Sequence, residues 1–362
     1  MKKICMAMVF SALSGLSLAN TLDSIPAAEN QAAGFQSMQF GPYKITALHD
    51  GNIALSPEVF NQNFSPMEVQ ALLQQLAIDP AVPMQESVNA FLIADASGNL
   101  TLIDAGAGQC AGAQLGAMVR QLSAAGYSAV DVGTVLLTHL HPDHLCGLEN
   151  GAKAVFPLAT VYTSEKEQAY WLSAHAQSHV TADQQEKFQQ TVQQIRTALA
   201  PYQQSRSLRT FKAGANINGI DVLESAGHTP GHYLFQLKSN GQSLVFLGDA
   251  LHFAALQLEQ PKLSASFDFD PVQSGEAREK LLAQWAKQDS LLAAAHLPFP
   301  GIGKIQSKNA GSYVWQAIGS PATPATPATP ATPATPATPA TPATPATPAT
   351  PATPATPATP AT

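Results

Sequence analysis

Three histidines and one aspartate crowd into a segment of six residues: His139, His141, Asp143 and His144. The segment follows residues 135–137, an apolar run typical of a buried strand, and Pro142 suits the first position of a helix. The four side chains therefore share one strand-to-helix turn. The first two histidines can face the same way from the strand end, and the other two groups project from the first helical turn. Such a turn predicts a site for two metal ions roughly 3.5–4 Å apart.

Further polar groups with the same chemistry occur in the second half of the chain. Gly227 and His228 stand between two strand-like patterns, Asp249 follows the apolar stretch 244–247, and His296 ends an alanine-rich run. A carboxylate at the interior end of a strand would be a costly buried charge unless it were paired, and a metal ion provides such a pairing. The alternative for Asp249 is the start of a surface turn. Imidazole and carboxylate groups together favour zinc and similar ions.

Both ends of the chain have the composition of non-globular segments. Lys2 and Lys3 precede an apolar run over residues 4–18 that serine and glycine dilute, and residues 17–19 offer a cleavage site. This pattern predicts a signal peptide and hence a periplasmic or secreted protein. A stable membrane anchor is not expected, because the run is shorter than the ~20 apolar residues of a spanning helix. The repeat Pro-Ala-Thr fills Pro321–Thr362 and cannot build a core.

The charge and the cysteine content restrict the partners and the means of stabilisation. A net charge of −7 and the lack of any Lys/Arg-rich stretch argue against nucleic acid, so a small molecule is the expected partner. Cys110 and Cys146 remain after signal cleavage, and export would allow them to form a disulfide. Two cysteines are too few for a disulfide-built scaffold, so the fold needs an apolar core. The predicted divisions are residues 1–19 for the signal peptide, 20–40 for a mature N-terminal segment, 41–318 for one large domain and 319–362 for a disordered tail.

The body of the chain alternates strand-like and helix-like patterns. Ser65, Pro66 and Glu68 form a cap, a first helical position and a capping box, which predict the start of a helix. This order of patterns suits a sandwich of two sheets with helices outside. We further expect hairpin strands over residues 88–93 and 100–103, a turn over 49–52 after a strand over 43–48, helices over 113–125, 274–288 and from Thr181 to about 199, and strands over 132–138, 220–223, 233–237 and 244–247.

The order H-x-H-x-D-H, Gly-His, Gly-Asp and His, at these spacings, resembles the pattern of the metallo-β-lactamase superfamily over residues 41–316. Within that superfamily the chain is most similar to the methyl parathion hydrolase branch, which neighbours the quorum-quenching lactonases. Residues 40–51, 139–147 and 296–303 carry this finer similarity. The resemblance implies an α/β fold of the αβ/βα sandwich type, with two central sheets flanked by helices, over the predicted domain. It also implies a metal-dependent hydrolase.

The resemblance further implies a role for each residue of the pattern. It implies that His139, His141 and His228 bind one metal, that Asp143, His144 and His296 bind the second, and that Asp249 bridges both. The cofactors implied are two divalent ions, with zinc expected and manganese, iron or cobalt as alternatives. Asp143 is also placed to accept or relay a proton, which makes it the predicted catalytic residue.

Several other residues are predicted to support the site. Asp104 would orient a histidine ligand, unless it only caps a turn, and Trp171 would line the pocket, unless it only packs its helix. In this fold the loops that carry Cys110 and Cys146 lie at the same rim, where a disulfide would brace the metal site. The histidines expected to stay outside the ligand set are His49, His232 and His252, with packing or orienting roles, and His175 and His179, in a solvated segment.

The function implied is hydrolysis of a small ester-like molecule, namely a lactone, an aryl ester or a phosphotriester, by an exported two-metal enzyme. A β-lactamase or a thioesterase is the alternative within the superfamily, and a bridging carboxylate at Asp249 argues against the β-lactamase. The alternative outside enzymes is a catalytically inactive, surface-displayed domain. Seven ligand-type residues are all present, which argues against that interpretation. A homodimer remains open.

The repeat tail provides a first test. Deleting Pro321–Thr362 should leave both the thermal unfolding midpoint and the turnover number unchanged, because a Pro-Ala-Thr repeat buries no apolar surface against a domain. Thermal melts and kinetic assays of the full-length and truncated proteins would check this. A large loss of stability or activity in the truncated protein would mean that the repeat docks on the domain.

Overall fold

The computed structural model of the chain describes residues 34–173 and 185–318. The predicted signal peptide, the helix cap at Thr181, the pair His175 and His179, and the Pro-Ala-Thr repeat lie outside these residues. Within the two ranges, no helix is both long enough and apolar enough to cross a membrane.

Strands and helices alternate along the described ranges. The strands are β1 (Phe35–Phe40), β2 (Tyr43–Leu55), β3 (Met84–Ala94), β4 (Leu100–Ile103), β5 (Val132–Leu136), β6 (Glu149–Asn150), β7 (Lys153–Ala154), β8 (Thr160–Ser164), β9 (Leu208–Phe211), β10 (Asn216–Ile217), β11 (Ile220–Glu224), β12 (Tyr233–Ser239), β13 (Gln242–Phe246), β14 (Leu291–Ala293), β15 (Ile302–Asn309) and β16 (Ser312–Ala317). The helices are α1 (Pro66–Gln75), α2 (Met118–Ala124), α3 (Pro142–Leu145), α4 (Glu165–Leu172), α5 (Gln185–Gln204), α6 (Ala254–Gln257) and α7 (Pro271–Gln288).

The strands form two mixed sheets of seven strands each and a small ribbon. The first sheet has the order β1-β2-β3-β4-β5-β8-β9, and its last four strands run parallel to one another. The second sheet keeps β10 to β16 in sequence order, with one parallel pair, β13 and β14. The ribbon is the antiparallel pair β6 and β7.

An apolar layer joins the two sheets face to face. Phe91 and Ile103 from the first sheet and Phe235 and Phe246 from the second are buried in one cluster, and the rings of Phe91 and Phe246 have centroids 5.6 Å apart. Helix α5 packs in the apolar cluster on the other face of the first sheet, and α7 does so on the second. The αβ/βα sandwich predicted from the sequence is therefore confirmed.

Several local predictions are also confirmed. Helix α1 begins with the predicted capping box, in which the Ser65 hydroxyl accepts from the Glu68 N–H and the Glu68 carboxylate accepts from the Ser65 N–H. The predicted hairpin is the antiparallel pair β3 and β4. Strands β11, β12 and β13 and helix α7 begin within three residues of their predicted positions. In each case the signal is local, either a cap or a short alternating run.

Three boundaries differ from the prediction. The fold begins before residue 41, because β1 pairs with β2 along its whole length and so belongs to the first sheet. Helix α2 starts at Met118 instead of near residue 113, because Gly116 takes a left-handed φ of 85°. Its loop packs closely on residue 108. Helix α5 continues past residue 199 to Gln204.

The turn predicted over residues 49–52 is wrong. Strand β2 continues through it to Leu55, and its pairing with β3 only shifts register between His49 and Gly51. The buried carboxylate of Asp50 explains the difference. It accepts backbone N–H groups of Ala107 and Gly116 at 2.9 Å each and of Met118 at 2.8 Å, so it serves a distant loop and not its own turn.

The topology brings the candidate site residues together at one edge of the sandwich. The carboxyl ends of the parallel strands β4 and β5 lead to Asp104 and to the segment that begins at His139, and those of β13 and β14 lead to Asp249 and His296. The carboxyl ends of parallel strands lie at the same edge of a sheet, which is where open α/β sheets place their ligands.

Asp50 gives a prediction for stability. Asp50→Asn should lower the free energy of unfolding by about 2 kcal/mol, because the NH₂ group of an amide cannot accept and so leaves at least one of the three backbone donors without an acceptor. Asp95→Asn is the matched control, since Asp95 also accepts several hydrogen bonds but in an exposed turn, and it should cost less than ~1 kcal/mol. Urea denaturation of both variants would measure the difference. Equal losses would contradict a special role for Asp50.

Candidate metal centre

Seven side chains converge in two adjoining groups. The possible ligand atoms of His139, His141, His228 and Asp249 all lie within 4.8 Å of one another, and so do those of Asp143, His144 and His296. In the first group, His228 Nε2 is 2.9 Å from His141 Nδ1 and 3.3 Å from His139 Nε2. In the second, His144 Nε2 is 3.2 Å from His296 Nε2. The structure thus brings together all seven residues that the sequence pattern singled out.

Asp249 stands between the two groups. Its Oδ2 is 3.0 Å from His228 Nε2, and its Oδ1 is 2.9 Å from His144 Nε2 and 3.1 Å from His296 Nε2. The residue lies in a tight turn after β13, where Gly248 has a left-handed φ of 46° and a Cβ would lie 2.6 Å from His232 Nε2. The interior carboxylate inferred from the sequence is therefore buried, and it uses one oxygen for each group.

The outward nitrogens of four of these histidines are held by the surrounding protein. Nδ1 of His144 lies 2.9 Å from Asp104 Oδ2, and Nδ1 of His228 lies 2.9 Å from Asp268 Oδ1. Nδ1 of His296 lies 3.0 Å from the carbonyl of Ser87, and Nδ1 of His139 lies 3.0 Å from the hydroxyl of Thr138. Carboxylates and carbonyls only accept, so Nδ1 carries the hydrogen and the lone pair of Nε2 points inward. Buried lone pairs that face one another repel unless a cation lies between them. The donor set therefore fits two divalent metal ions.

The electrostatics of the metal-free cluster lead to the same conclusion. Burial lowers the pKa of His141 to about 3. At His228 burial acts in the same direction, but the carboxylates of Asp249 and Asp268 outweigh it and raise the pKa to about 9. The buried carboxylates thus favour positive charge at the centre of the cluster.

A cavity of about 720 Å³ opens over the cluster. Its wall includes the apolar side chains of Ile53, Leu55, Trp171, Phe188 and Phe267, while its floor includes His141, Asp143, Asp249 and His296. An apolar pocket with a few convergent polar groups is the usual form of a small-molecule site.

The comparison with protein families decides the relationship. Residues 84–296 match the family model of the Metallo-beta-lactamase superfamily. The chain belongs to the metallo-β-lactamase superfamily. Together with the hydrolase relatives described below, this shows it to be a metal-dependent hydrolase of that superfamily, as the sequence pattern implied.

Solved structures of hydrolases share the fold. The hydrolase AbOPH, of the beta lactamase superfamily, is 41% identical with a TM-score of 0.76, and the match covers 80% of this chain and 99% of AbOPH. AidC, a dizinc quorum-quenching lactonase solved with the product N-hexnoyl-L-homoserine, is 25% identical with a TM-score of 0.71, over 78% of this chain and 97% of AidC. A probable metal-dependent hydrolase from Staphylococcus aureus shares the fold at 21% identity and a TM-score of 0.61, over 77% and 99% of the two chains. Among curated proteins, no significant match was found.

Two carboxylates orient ligands of this metallo-β-lactamase superfamily member from outside the cluster. Asp104, a predicted supporting residue, accepts from His144 Nδ1 and from the backbone and hydroxyl of Thr138, and it takes a left-handed φ of 58° to do so. Asp268 accepts from His228 Nδ1 and lies 3.8 Å from the guanidinium of Arg278. The sequence analysis did not identify Asp268, because no motif marks it and it lies 40 residues from its partner.

Glu167 is a third orienting carboxylate that sequence analysis missed. Its Oε2 accepts from the backbone N–H of Leu140, between two ligand histidines, at 2.9 Å, and its Oε1 accepts from the N–H of Gly231, in the loop of His228, also at 2.9 Å. Burial raises its pKa, although these donors oppose the shift. The spacing of Ser164 and Glu167 signals a helix cap, and the Ser164 side chain does cap α4. The Glu167 carboxylate, however, points inward and joins the loop of Leu140 to the loop of His228 by hydrogen bonds to both.

Trp171 combines the two roles that its sequence position left open. Its ring lies against Phe188, with centroids 5.3 Å apart and planes 21° apart, so it packs the helices α4 and α5 together. It also lines the cavity, stands edge-on to the His141 ring at 5.7 Å and donates its indole N–H to Glu167.

Cys110 and Cys146 form a disulfide, with Cα atoms 6.0 Å apart. The bridge joins the loop after β4 to the residue that follows α3, the short helix that carries Asp143 and His144. Backbone hydrogen bonds from Ala105 to the His144 carbonyl and from Gly147 to Gly106 join the same segments. The disulfide thus braces the segment that carries Asp143 and His144, and Cys110 also lines the cavity.

The other histidines of the motif segments divide into two kinds. His49 lies apart from the cluster, with its ring 5.3 Å from that of Phe299. His232 accepts from the backbone N–H of Asp249 at 3.0 Å and so helps to position the bridging residue. His252 is closer to the chemistry than expected, because its Nε2 lies 3.0 Å from Asp249 Oδ2 and its ring stacks on that of His296.

Glu167 gives a prediction for metal retention. Glu167→Gln should weaken metal binding about 10- to 100-fold, because an amide group must place N–H donors against one of the backbone donors that now position the ligand loops. The matched control is Glu165→Gln on the same helix, where an exposed carboxylate pairs only with Lys212. Metal content after dialysis against a competing chelator would measure the effect. Equal metal retention in the two variants would show that Glu167 does not position the ligands.

Proposed function

We propose that the chain hydrolyses a small, uncharged, ester-like substrate, such as a lactone, an aryl ester or a phosphotriester, at a two-metal centre. The observation that carries the proposal is the carboxylate of Asp249, which is buried and directs one oxygen to each ligand group. One carboxylate shared in this way holds two ions close together, so that a single compact electrophilic centre can contact both. The similarity to the hydrolase AbOPH supports hydrolysis, and the similarity to the lactonase AidC supports a lactone among these substrates.

The proposed ligand sets follow the two groups of side chains. His139, His141 and His228 would hold one ion, Asp143, His144 and His296 would hold the other, and Asp249 would contact both. Zinc is the proposed metal, since AidC is a dizinc enzyme and imidazole with carboxylate suits zinc. When bound, two such ions supply Lewis acidity, which makes water nucleophilic at neutral pH and offsets negative charge on the substrate oxygen.

Asp143 is the proposed proton acceptor. Its side chain is 19% exposed and lines the cavity, whereas that of Asp249 is 4% exposed. Burial opposes ionisation, but His144 and His296 outweigh it and hold the pKa of Asp143 well below its usual range. The carboxylate is therefore ionised at neutral pH, which is the state in which it can accept a proton.

The cavity wall favours an uncharged substrate with an apolar acyl or aryl part. Tyr170, Trp171 and Phe269 continue the aromatic surface toward the cavity mouth. Such rings bury apolar groups well and provide no counter-ion for an anionic substrate. We also propose export, because residues 1–19 have the pattern of a signal peptide and the disulfide suits an oxidising compartment.

The alternatives are less well supported. A β-lactam is a poorer substrate for a centre whose ions share a carboxylate, because its cleavage benefits from a metal that is free to stabilise the departing nitrogen. A thioesterase would use the same ligands, but export removes the enzyme from the cytosolic thiol pool. An inactive display domain would be expected to have lost ligands, and all seven are brought together here.

Substrate preference tests the proposal. The zinc-loaded enzyme should hydrolyse at least one of an aryl ester, a lactone and a phosphotriester with a kcat/KM at least tenfold higher than for a chromogenic cephalosporin, a gap of about 1.4 kcal/mol in barrier. His139→Ala and exhaustive chelation should abolish this activity. His49→Ala, outside the ligand groups, should keep it. The proposal fails if the cephalosporin is the best substrate or if the chelated enzyme stays active.

A further inference from the structure

Glu86 is a buried carboxyl group in the cavity wall that the proposed mechanism does not use. It lies on β3 with 2% of its surface exposed and lines the cavity together with the candidate ligands. Its Oε1 is buried and has no hydrogen-bond partner among the residues that the structure describes. A buried carboxyl oxygen without a partner is rare in folded proteins and calls for a functional explanation.

Other buried carboxylates of the chain accept several hydrogen bonds each, which compensate their burial. Asp50 accepts three backbone N–H groups, and Glu167 accepts two together with the indole N–H of Trp171. Asp104 likewise receives several hydrogen bonds. Glu86 accepts no such hydrogen bonds from the described residues, and burial raises its pKa to about 7. A structural role is therefore a poor explanation for a carboxyl group at this position.

The same contrast holds among the carboxyl groups of the cavity. Asp143 and Asp249 face the histidines of the metal centre, and Asp268 accepts from His228 and from the backbone of Ala265. Of the described carboxyl groups that line the cavity, this leaves Glu86 as the one with a buried oxygen that accepts no hydrogen bond from the protein.

The position of Glu86 relative to the metal centre is set by the backbone. The carbonyl of the next residue, Ser87, accepts from Nδ1 of His296, a candidate ligand, at 3.0 Å. Across the sheet, Glu86 pairs with Ile53, which lies on the same face and also lines the cavity. The carboxyl group therefore stands beside the metal centre at a fixed distance, with an apolar neighbour that cannot satisfy it.

We propose that Glu86 is a specificity-determining residue, which accepts a hydrogen bond from an N–H group on the acyl side of the substrate. The inference rests on the proposed ester hydrolysis, since it concerns the part of the substrate next to the bond that is cleaved. A site built to bond such a donor discriminates against an analogue that lacks it, because the buried acceptor is then left without a partner. An amide N–H and an ammonium group share this chemistry, and suitable esters separate the two.

Three esters with the same aryl leaving group test the proposal. The N-acetylglycine ester carries an amide N–H, the 4-oxopentanoate ester replaces that N–H with CH₂, and the glycine ester carries an ammonium group. If the donor is an amide, Glu86→Leu should lower the kcat/KM ratio of the first ester to the second about tenfold, as expected when one buried hydrogen bond is lost. Glu86→Gln should largely keep this ratio, because its amide oxygen still accepts. If the donor is an ammonium group, both variants should instead lose activity selectively on the glycine ester.

Gln85→Leu is the matched control, because Gln85 is the preceding residue of β3 and its exposed side chain points away from the cavity. It should leave all three ratios unchanged. Glu86→Leu removes a buried carboxyl group without partners, so its thermal midpoint should equal or exceed that of the unchanged protein. Melts and metal content check that each variant is folded and loaded.

The outcomes separate this inference from the proposed function. If Glu86→Leu lowers kcat/KM equally for the three esters, the residue acts on the metal centre or the fold, and its role in specificity is overturned. The same holds if the ratios do not change at all. If the unchanged enzyme hydrolyses none of the esters but cleaves another class of substrate, the proposed function fails instead.

Discussion

The site depends on one buried carboxylate, whose two oxygens are directed to the two groups of side chains. Asp249 directs Oδ2 toward His228 and Oδ1 toward His144 and His296, at distances of 2.9 to 3.1 Å. A buried charge of this kind is tolerated only when it is compensated on every side. The compensating groups come from segments far apart in the chain, and those segments follow strands of both sheets. The candidate metal centre is therefore complete only when the two sheets are packed against each other.

Around this centre, a second set of carboxylates fixes the histidines. Asp104 and Asp268 each hold the outward nitrogen of one ligand, and Glu167 holds the backbone of two ligand loops. Asp104 and Asp268 thus determine which nitrogen of His144 and of His228 points inward, and Glu167 fixes the loops that carry the candidate ligands. The disulfide between Cys110 and Cys146 joins the loop after β4 to the end of α3. Rigidity thus comes from hydrogen bonds and a covalent link outside the cluster.

The wall of the cavity differs in composition from the surroundings of the metal centre. It combines aromatic and aliphatic side chains with polar ones such as Lys187, Gln190 and Gln194. Among the described carboxyl groups of this wall, Glu86 has a buried oxygen without a protein partner. Under the proposal made above, a substrate donor would complete the hydrogen bonding of this group. Catalytic power and substrate choice would then reside in different residues of one pocket.

The sequence by itself determined the family, the fold class and the seven ligand-type residues, because these depend on short motifs and on alternating runs that are local in the chain. It also determined the capping box of α1 and the hairpin of β3 and β4. Only the tertiary structure decided what Asp50, Glu167 and Asp268 contact and that Glu86 lines the cavity, since none of them stands in a metal-binding motif. Asp50 was taken for part of a turn and instead holds a loop 57 to 68 residues away. The residue type determines which hydrogen bonds and charges a side chain can offer. Which partners it meets depends on neighbours that are distant in the chain and that only folding brings into contact.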